Sequence, residues 1–209
     1  MLAIELFGLS RAGKTSTLRS LVSHFQEKGE KCEVIGRAPV DFKNCSDLEE
    51  FHHQMILYLE QRVPEAKSRN PDYVLMDRGP YDREIMLKVD CDDGQVGSEF
   101  YEAAIQRLFR LQPQVDLPLL FLVDPATSIA RIKSQKDEGL DYSYLCAGLN
   151  TREGVAGLSR LFDSYIALQA AKTKVVRVYA DGNVNDTLDS ALKNIASKKV
   201  KNDGGVAGI

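Results

Sequence analysis

Apolar residues gather in five short, nearly continuous runs: Ala3–Phe7, Cys32–Gly36, Tyr73–Asp77, Leu119–Val123 and Val175–Tyr179. Runs of this length, β-branched and without polar alternation, predict strands covered on both faces. Between them the apolar positions recur every three or four residues, the period of an amphipathic helix. This pattern predicts helices at about Lys14–Lys28, Asp47–Arg62, Tyr81–Lys88, Glu99–Leu111, Pro125–Lys136, Gly154–Lys172 and Asp186–Ser197. Strand and helix in alternation predict an α/β fold, a doubly wound parallel sheet with right-handed crossovers.

Punctuation residues set the expected boundaries. Gly29 follows the first helix, a Ser46–Glu49 capping box precedes the second, and Pro64 is expected to stop it. Ser98 is placed to cap the fourth helix, and Pro125 stands at a first helical position after Asp124. The acidic segment Asp90–Gly97 reads as a solvated loop whose spacing does not fit an EF-hand. Lys198–Ile209, rich in Lys, Asn and Gly, lacks apolar periodicity and is expected as a mobile tail to a single domain over residues 1–197.

Composition narrows the function. The 209 residues are 44% hydrophobic, enough for one core, and the net charge of −3 offers no basic field for nucleic acid. No apolar run approaches a bilayer span and no signal-peptide pattern precedes the first strand, so a cytoplasmic protein without a membrane segment is expected. The four cysteines are scattered, which fits a reducing compartment, and the three histidines have no metal-ligand spacing.

Chemistry concentrates at Gly8-Leu9-Ser10-Arg11-Ala12-Gly13-Lys14-Thr15, which has the G-x-x-x-x-G-K-[ST] spacing of a phosphate-binding loop. It follows the first strand and opens the first helix, the context the motif requires. Loop amides from Gly8, Ser10, Ala12, Gly13 and Ser16 are expected around phosphate oxygens, at a helix N-terminus that adds partial positive charge. Lys14 would reach the β- and γ-phosphates and Thr15 would ligate Mg²⁺. The third strand ends in Asp77, at the edge where such sheets bind ligands, so Asp77 is expected in the Mg²⁺ shell opposite Thr15. Arg78 follows, as a bidentate phosphate ligand or a partner of Asp77 or Asp82.

These motifs together resemble the thymidylate kinase family of P-loop kinases. The segment Asp77-Arg78-Gly79-Pro80-Tyr81-Asp82-Arg83 is also similar to the Glu-Arg-Ser segment of the related deoxynucleoside kinases. Further likeness lies in Leu120–Pro125 with Ile129-Ala130-Arg131-Ile132, in Leu161–Tyr165, and in Tyr179-Ala180-Asp181-Gly182-Asn183. The resemblance implies a three-layer P-loop NTPase fold, a five-stranded parallel sheet with helices on both faces and a short lid at about residues 133–151. It implies ATP as donor, bound also by Arg131 of the lid-entry helix and by Asp181 in the adenine-contacting loop, and it leaves a homodimer open. Some family members carry an arginine inside the loop and a less basic lid, which gives Arg11 the role of stabilising the transferring phosphoryl group. A similar helix in the family presents an aromatic base platform and, four residues on, a base-reading arginine. Tyr58 and Arg62 have that spacing here, and a core-edge tyrosine with a surface arginine fits it equally.

Departures concern the acceptor. After the second strand, Arg37-Ala38-Pro39 stands where thymidylate kinases have Arg-Glu-Pro and deoxynucleoside kinases have Glu-Pro-Val. A hydroxyl acceptor benefits from a base there, whereas a monophosphate is already ionised. Ala38 thus favours a phosphorylated acceptor, or moves the carboxylate's role to Asp41. Ser10 also replaces an aspartate common in the arginine-type loop. The expected function is Mg²⁺- and ATP-dependent transfer to a nucleoside monophosphate, dTMP-like, with Arg37 and Arg78 on the acceptor phosphate. A nucleoside or non-nucleotide acceptor, and a nucleotide-binding ATPase or switch, remain as alternatives.

Overall fold

The computed structural model describes residues 1–40, 44–137, 152–180 and 182–203. Asp41, Asp181, most of the expected lid and the last six residues lie outside the described residues.

Five strands form one parallel sheet: β1 (Leu2–Gly8), β2 (Cys32–Ile35), β3 (Tyr73–Asp77), β4 (Leu117–Leu122) and β5 (Val176–Tyr179), in the order β2-β3-β1-β4-β5. The three central strands are buried along their whole length, the consequence of apolar residues on both faces. The described helices are α1 (Lys14–Glu27), α2 (Leu48–Ser68), α3 (Pro80–Asp92), α4 (Ser98–Leu111), α5 (Pro125–Asp137), α6 (Arg152–Ala171) and α7 (Val184–Asp203). On one face α1 packs against α7, while α2, α3, α4 and α6 pack together on the other. From β1 the chain crosses to β2 at one edge, and from β3 onward it works toward the other. Crossovers after β1 and β3 therefore lie on opposite faces, and a crevice opens between the ends of these adjacent strands. Register places Asp77 beside Leu6, two residues before β1 ends in Gly8.

Four boundaries differ from expectation. α2 passes through Pro64 to Ser68, because Val63 and Ala66 bury in the core and Lys67 bonds the Gln114 carbonyl at 2.7 Å. That packing outweighs the one intrahelical bond proline forfeits. Its cap is Asp47, whose carboxylate accepts from the Glu50 N–H at 2.8 Å, one residue along from the Ser46–Glu49 box. α3 continues to Asp92, so the first part of the acidic segment is helical, and Asp90 there meets the buried His52 at 2.8 Å. Ser98 begins α4 without capping it; the Gly97 N–H ahead of it donates to Glu49 at 2.8 Å.

The last helix also corrects the expected tail. α7 reaches Asp203, beyond the Ser197 end that apolar periodicity indicates. Lys199 anchors the added turn, donating to Glu30 at 2.8 Å and to the Tyr73 hydroxyl at 3.2 Å across the sheet edge. Polar anchoring of this kind leaves no trace in a hydrophobic pattern. Pro125 behaves as expected: the Asp124 carboxylate accepts from the Ala126 N–H at 2.8 Å at the start of α5.

Candidate functional site

At the end of β1 the chain turns sharply under constraint. Gly8 has φ 124°, and a Cβ there would lie 2.2 Å from the Phe121 carbonyl oxygen. Only glycine lets the loop leave the sheet at this point. Arg11 has φ 59° and Gly13 φ 81°, two left-handed residues that wrap the loop before α1 begins at Lys14. Helix α5 holds the loop apex in this shape. Ser128 Oγ donates to the Ser10 carbonyl at 2.8 Å, and Arg131 donates to the carbonyls of Arg11 and Ala180, each at 3.0 Å. Arg131, expected as an ATP ligand from the lid-entry helix, thus also braces the loop backbone.

The Lys14 ammonium is buried, donating to the Gly8 carbonyl at 3.0 Å and to that of Leu9. Burial, aided by the nearby Arg78 charge, holds its pKa well below the usual lysine range. Neutral carbonyls compensate a cation poorly, so an arriving phosphate would restore its charge. Beside it, Thr15 Oγ1 donates to Asp77 Oδ2 at 2.9 Å, and Arg37 Nε lies 3.6 Å from the same oxygen. The second oxygen, Asp77 Oδ1, is buried with no partner among the described residues. A buried carboxylate oxygen without a donor, next to a threonine hydroxyl at a helix N-terminus, fits a hard divalent cation that keeps water and phosphate ligands. Among the described residues no cluster of three or more His, Cys, Asp or Glu side chains offers a self-sufficient metal cage. Thr15 and Asp77 suit Mg²⁺ in the company of a nucleotide.

Arg78 occupies the next position, at φ 69°. Asp82, in the first turn of α3 and fully buried, receives Arg78 Nη1 on both oxygens at 2.9 Å and the Tyr165 hydroxyl on Oδ1 at 2.8 Å. Burial alone would raise the Asp82 pKa, but Arg78, Arg83 and Lys14 together hold it well below the usual carboxylate range. Beneath this turn lies Glu5, also fully buried on β1. Its carboxylate accepts from the backbone N–H groups of Gly79 and Asp82 at 2.9 Å and of Tyr81 at 3.1 Å. Burial outweighs these donors and pushes Glu5 up to about 8.

These elements enclose a cleft of about 860 Å³. It is lined by the loop from Ser10 to Ser16, by Arg37, Asp77, Arg78 and Arg131, and by Ala180, Gly182 and Asn183 after β5. The structure therefore brings together most of the residues singled out from sequence, with Gly8 just beneath. Tyr58 and Arg62 do not line it: the Tyr58 hydroxyl donates to the Gly36 carbonyl at 3.4 Å and Arg62 pairs with Glu65 at 2.5 Å on the helix surface. Residues that sequence reasoning missed include Arg19 in the lining and Glu5, Ser128 and Tyr165 behind it, whereas Asp82 is the partner of Arg78 that the sequence offers. Of those missed, Glu5 carried a signal, as a charge in the middle of an apolar strand.

No protein-family model matches the chain, and no curated protein does. Solved structures do match along nearly all of it. Deoxyadenosine kinase from M. mycoides with bound dATP has a TM-score of 0.64 at 18% identity, covering 92% of this chain and 98% of that one. The same enzyme with bound dCTP gives a TM-score of 0.64 at 17% identity, covering 94% and 100%. With products dCMP and a flexible dCDP bound it gives a TM-score of 0.62 at 18% identity, again covering 94% and 100%. At this identity the likeness shows a shared fold. Among the described residues no helix is long and apolar enough to cross a membrane.

Proposed function

We propose that the protein is an ATP-dependent phosphotransferase whose acceptor is a nucleoside monophosphate, dTMP-like. One observation carries this reading: six basic side chains (Arg11, Lys14, Arg19, Arg37, Arg78 and Arg131) line the cleft against a single described carboxylate, Asp77. That balance exceeds what a magnesium-bound triphosphate neutralises and leaves cations for a second phosphate. It also leaves no described carboxylate to act as base for a hydroxyl, since Asp77 is committed to Thr15 and to the metal position.

In this reading Lys14 and the loop amides bind the donor phosphates, and Thr15 and Asp77 hold Mg²⁺. Bound there, the ion neutralises charge on the β- and γ-phosphates. Arg37 and Arg78 hold the acceptor phosphate in line, and Arg11 meets the charge that spreads over the transferring group. Asp181 beside the base of ATP, the closing lid and a homodimer belong to the same proposal.

A second reading, transfer to a nucleoside hydroxyl, draws support from the full-length likeness to deoxyadenosine kinase and needs Asp41 as base. Incubating the protein with ATP, Mg²⁺ and a panel of nucleosides, monophosphates and non-nucleotide alcohols separates the readings. ADP release that rises only with monophosphates, dTMP foremost, is the expected result. Release that rises with nucleosides replaces the first reading by the second, and release indifferent to every acceptor overturns both in favour of a nucleotide switch.

A further inference from the structure

We propose that Asp82 and Tyr165 are positioning residues that hold one edge of the Arg78 guanidinium open for an acceptor oxyanion. This inference rests on the phosphotransferase reading.

Its basis is how Asp82 takes hold of the arginine. An aspartate facing a guanidinium commonly engages two nitrogens in parallel and so consumes the fork. Here both carboxylate oxygens converge on Nη1 alone, each at 2.9 Å. Nε and Nη2 retain no partner among the described residues, and Arg78 lines the cleft. A guanidinium anchored through one corner is fixed in space yet keeps its other N–H edge for a planar, two-point contact with phosphate. A lysine in the same place would offer a point charge with no edge to aim.

Three contacts fix the anchor itself. Tyr165 is 1% exposed and donates its hydroxyl to Asp82 Oδ1 at 2.8 Å. The Gly8 N–H reaches the same oxygen at 3.4 Å, and Arg83 Nη2 reaches Oδ2 at 3.4 Å. Both carboxylate oxygens are thereby oriented, so the plane of the group, and with it the direction of Nη1, is set from outside Arg78. Tyr165 stays a donor across the neutral range, because burial and then the Asp82 charge push its ionisation well above that of an ordinary tyrosine.

The left-handed backbone of Arg78 is held as well. Its own N–H donates to the Leu6 carbonyl at 3.0 Å and the following Gly79 N–H to Glu5 at 2.9 Å. Such a conformation is strained for a non-glycine residue and persists only where its surroundings impose it. Tyr165 comes from α6 and Asp82 from α3, 83 residues apart, so the aim of Arg78 depends on the packing of two helices.

A merely structural tie between α3 and α6 predicts something different, and a double-mutant cycle tells the two apart. Tyr165→Phe removes only the hydroxyl, and Arg78→Lys keeps a cation for Asp82 while abolishing the fork. Folding of each variant is checked by circular dichroism. With the best monophosphate acceptor, Tyr165→Phe is expected to raise the acceptor KM about five- to tenfold while leaving the ATP KM unchanged. In the Arg78→Lys background the same change should move the acceptor KM less than about twofold. Equal losses for donor and acceptor, an undiminished effect in the Arg78→Lys background, or no effect at all would overturn the proposal. Calorimetric binding of inorganic phosphate, with a non-hydrolysable ATP analogue at saturation, supplies a readout independent of turnover. There too Tyr165→Phe should weaken binding only where Arg78 is present. Should no acceptor stimulate the wild-type protein, the phosphotransferase reading falls, and the phosphate titration alone decides whether Tyr165 aims Arg78.

Discussion

The carboxylate of Glu5 accepts a hydrogen bond from the Gly79 N–H at 2.9 Å, fastening β1 to the turn that carries Arg78. A fully buried acid in this place makes stability depend on pH with a definite sign. Burial, with the Asp82 charge adding to it, raises Glu5 to about 8, whereas in the unfolded chain it titrates near the ordinary glutamate value of 4.5. Between those values the unfolded chain has released a proton that the folded protein keeps. Stability therefore falls as pH rises through this window, from this group at up to about 1.4 kcal/mol per pH unit. Glu5→Gln mimics the protonated side chain and removes the dependence. Urea unfolding at pH 5, 6.5 and 8 should show the variant gaining on the wild type at each step. A difference that stays constant with pH would mean Glu5 is ionised throughout.

Two loop glycines should respond differently to alanine. At Gly13 a Cβ meets nothing within 4 Å, so Gly13→Ala incurs only the left-handed penalty of φ 81°, about 1–2 kcal/mol. At Gly8 the same methyl would sit 2.2 Å from the Phe121 carbonyl oxygen, which belongs to a central strand and cannot give way. Gly8→Ala is expected to cost more than about 3 kcal/mol, or to prevent folding. Chemical unfolding of the two variants side by side measures the difference. Similar losses would show that the β1–β4 pairing yields more easily than its burial indicates.

Much of this site is written locally, and that part is legible in sequence. The loop from Gly8 to Thr15 is a contiguous motif, and Asp77 ends an apolar run, so strand order alone places it opposite Thr15. What escapes a sequence reading is set by long-range packing. Tyr165 meets Asp82 across 83 residues, and no spacing rule announces such a contact. Pro64 marks a helix end by local chemistry, yet the buried Val63 and Ala66 on either side keep α2 intact. Tyr58 and Arg62 have the spacing of a base-reading pair, but that same spacing serves a tyrosine at the core edge beside a surface ion pair. Periodicity cannot distinguish the two, because both share one helix face.

Asp77 Oδ1, buried and without a described donor, is expected to be the oxygen that turns toward Mg²⁺. Asp77→Asn keeps the shape and a carbonyl oxygen for Thr15 while removing the charge. Titrating a fluorescent ATP analogue with and without Mg²⁺ should show near-normal affinity in the metal's absence. The Mg²⁺ needed for half-maximal enhancement should rise by about 10- to 100-fold, and added chelator should abolish wild-type turnover. Enhancement by Mg²⁺ that survives in the variant would remove Asp77 from the metal's surroundings.

Arg11 lies in the lining at φ 59°, and the backbone that presents it is held by other residues. Ser128 secures the Ser10 carbonyl and Arg131 that of Arg11 itself, two contacts to backbone that remain available when the Arg11 side chain is removed. Donor binding draws on the loop amides and Lys14, whereas the Arg11 charge is proposed to matter most when the phosphoryl group is in flight. Arg11→Ala should therefore lower kcat about 10²- to 10³-fold, the scale of losing one preorganised transition-state donor, with little change in ATP affinity. Arg131→Ala is the contrasting control. By freeing the Arg11 and Ala180 carbonyls, and leaving Ser128 as the remaining tie from α5 to the loop apex, it should weaken ATP binding and turnover together. Single-turnover rates and nucleotide dissociation constants for both variants decide the matter. Equal losses of affinity and rate in Arg11→Ala would place Arg11 on the ground-state nucleotide, leaving the transferring phosphoryl group to be stabilised by the remaining cleft cations.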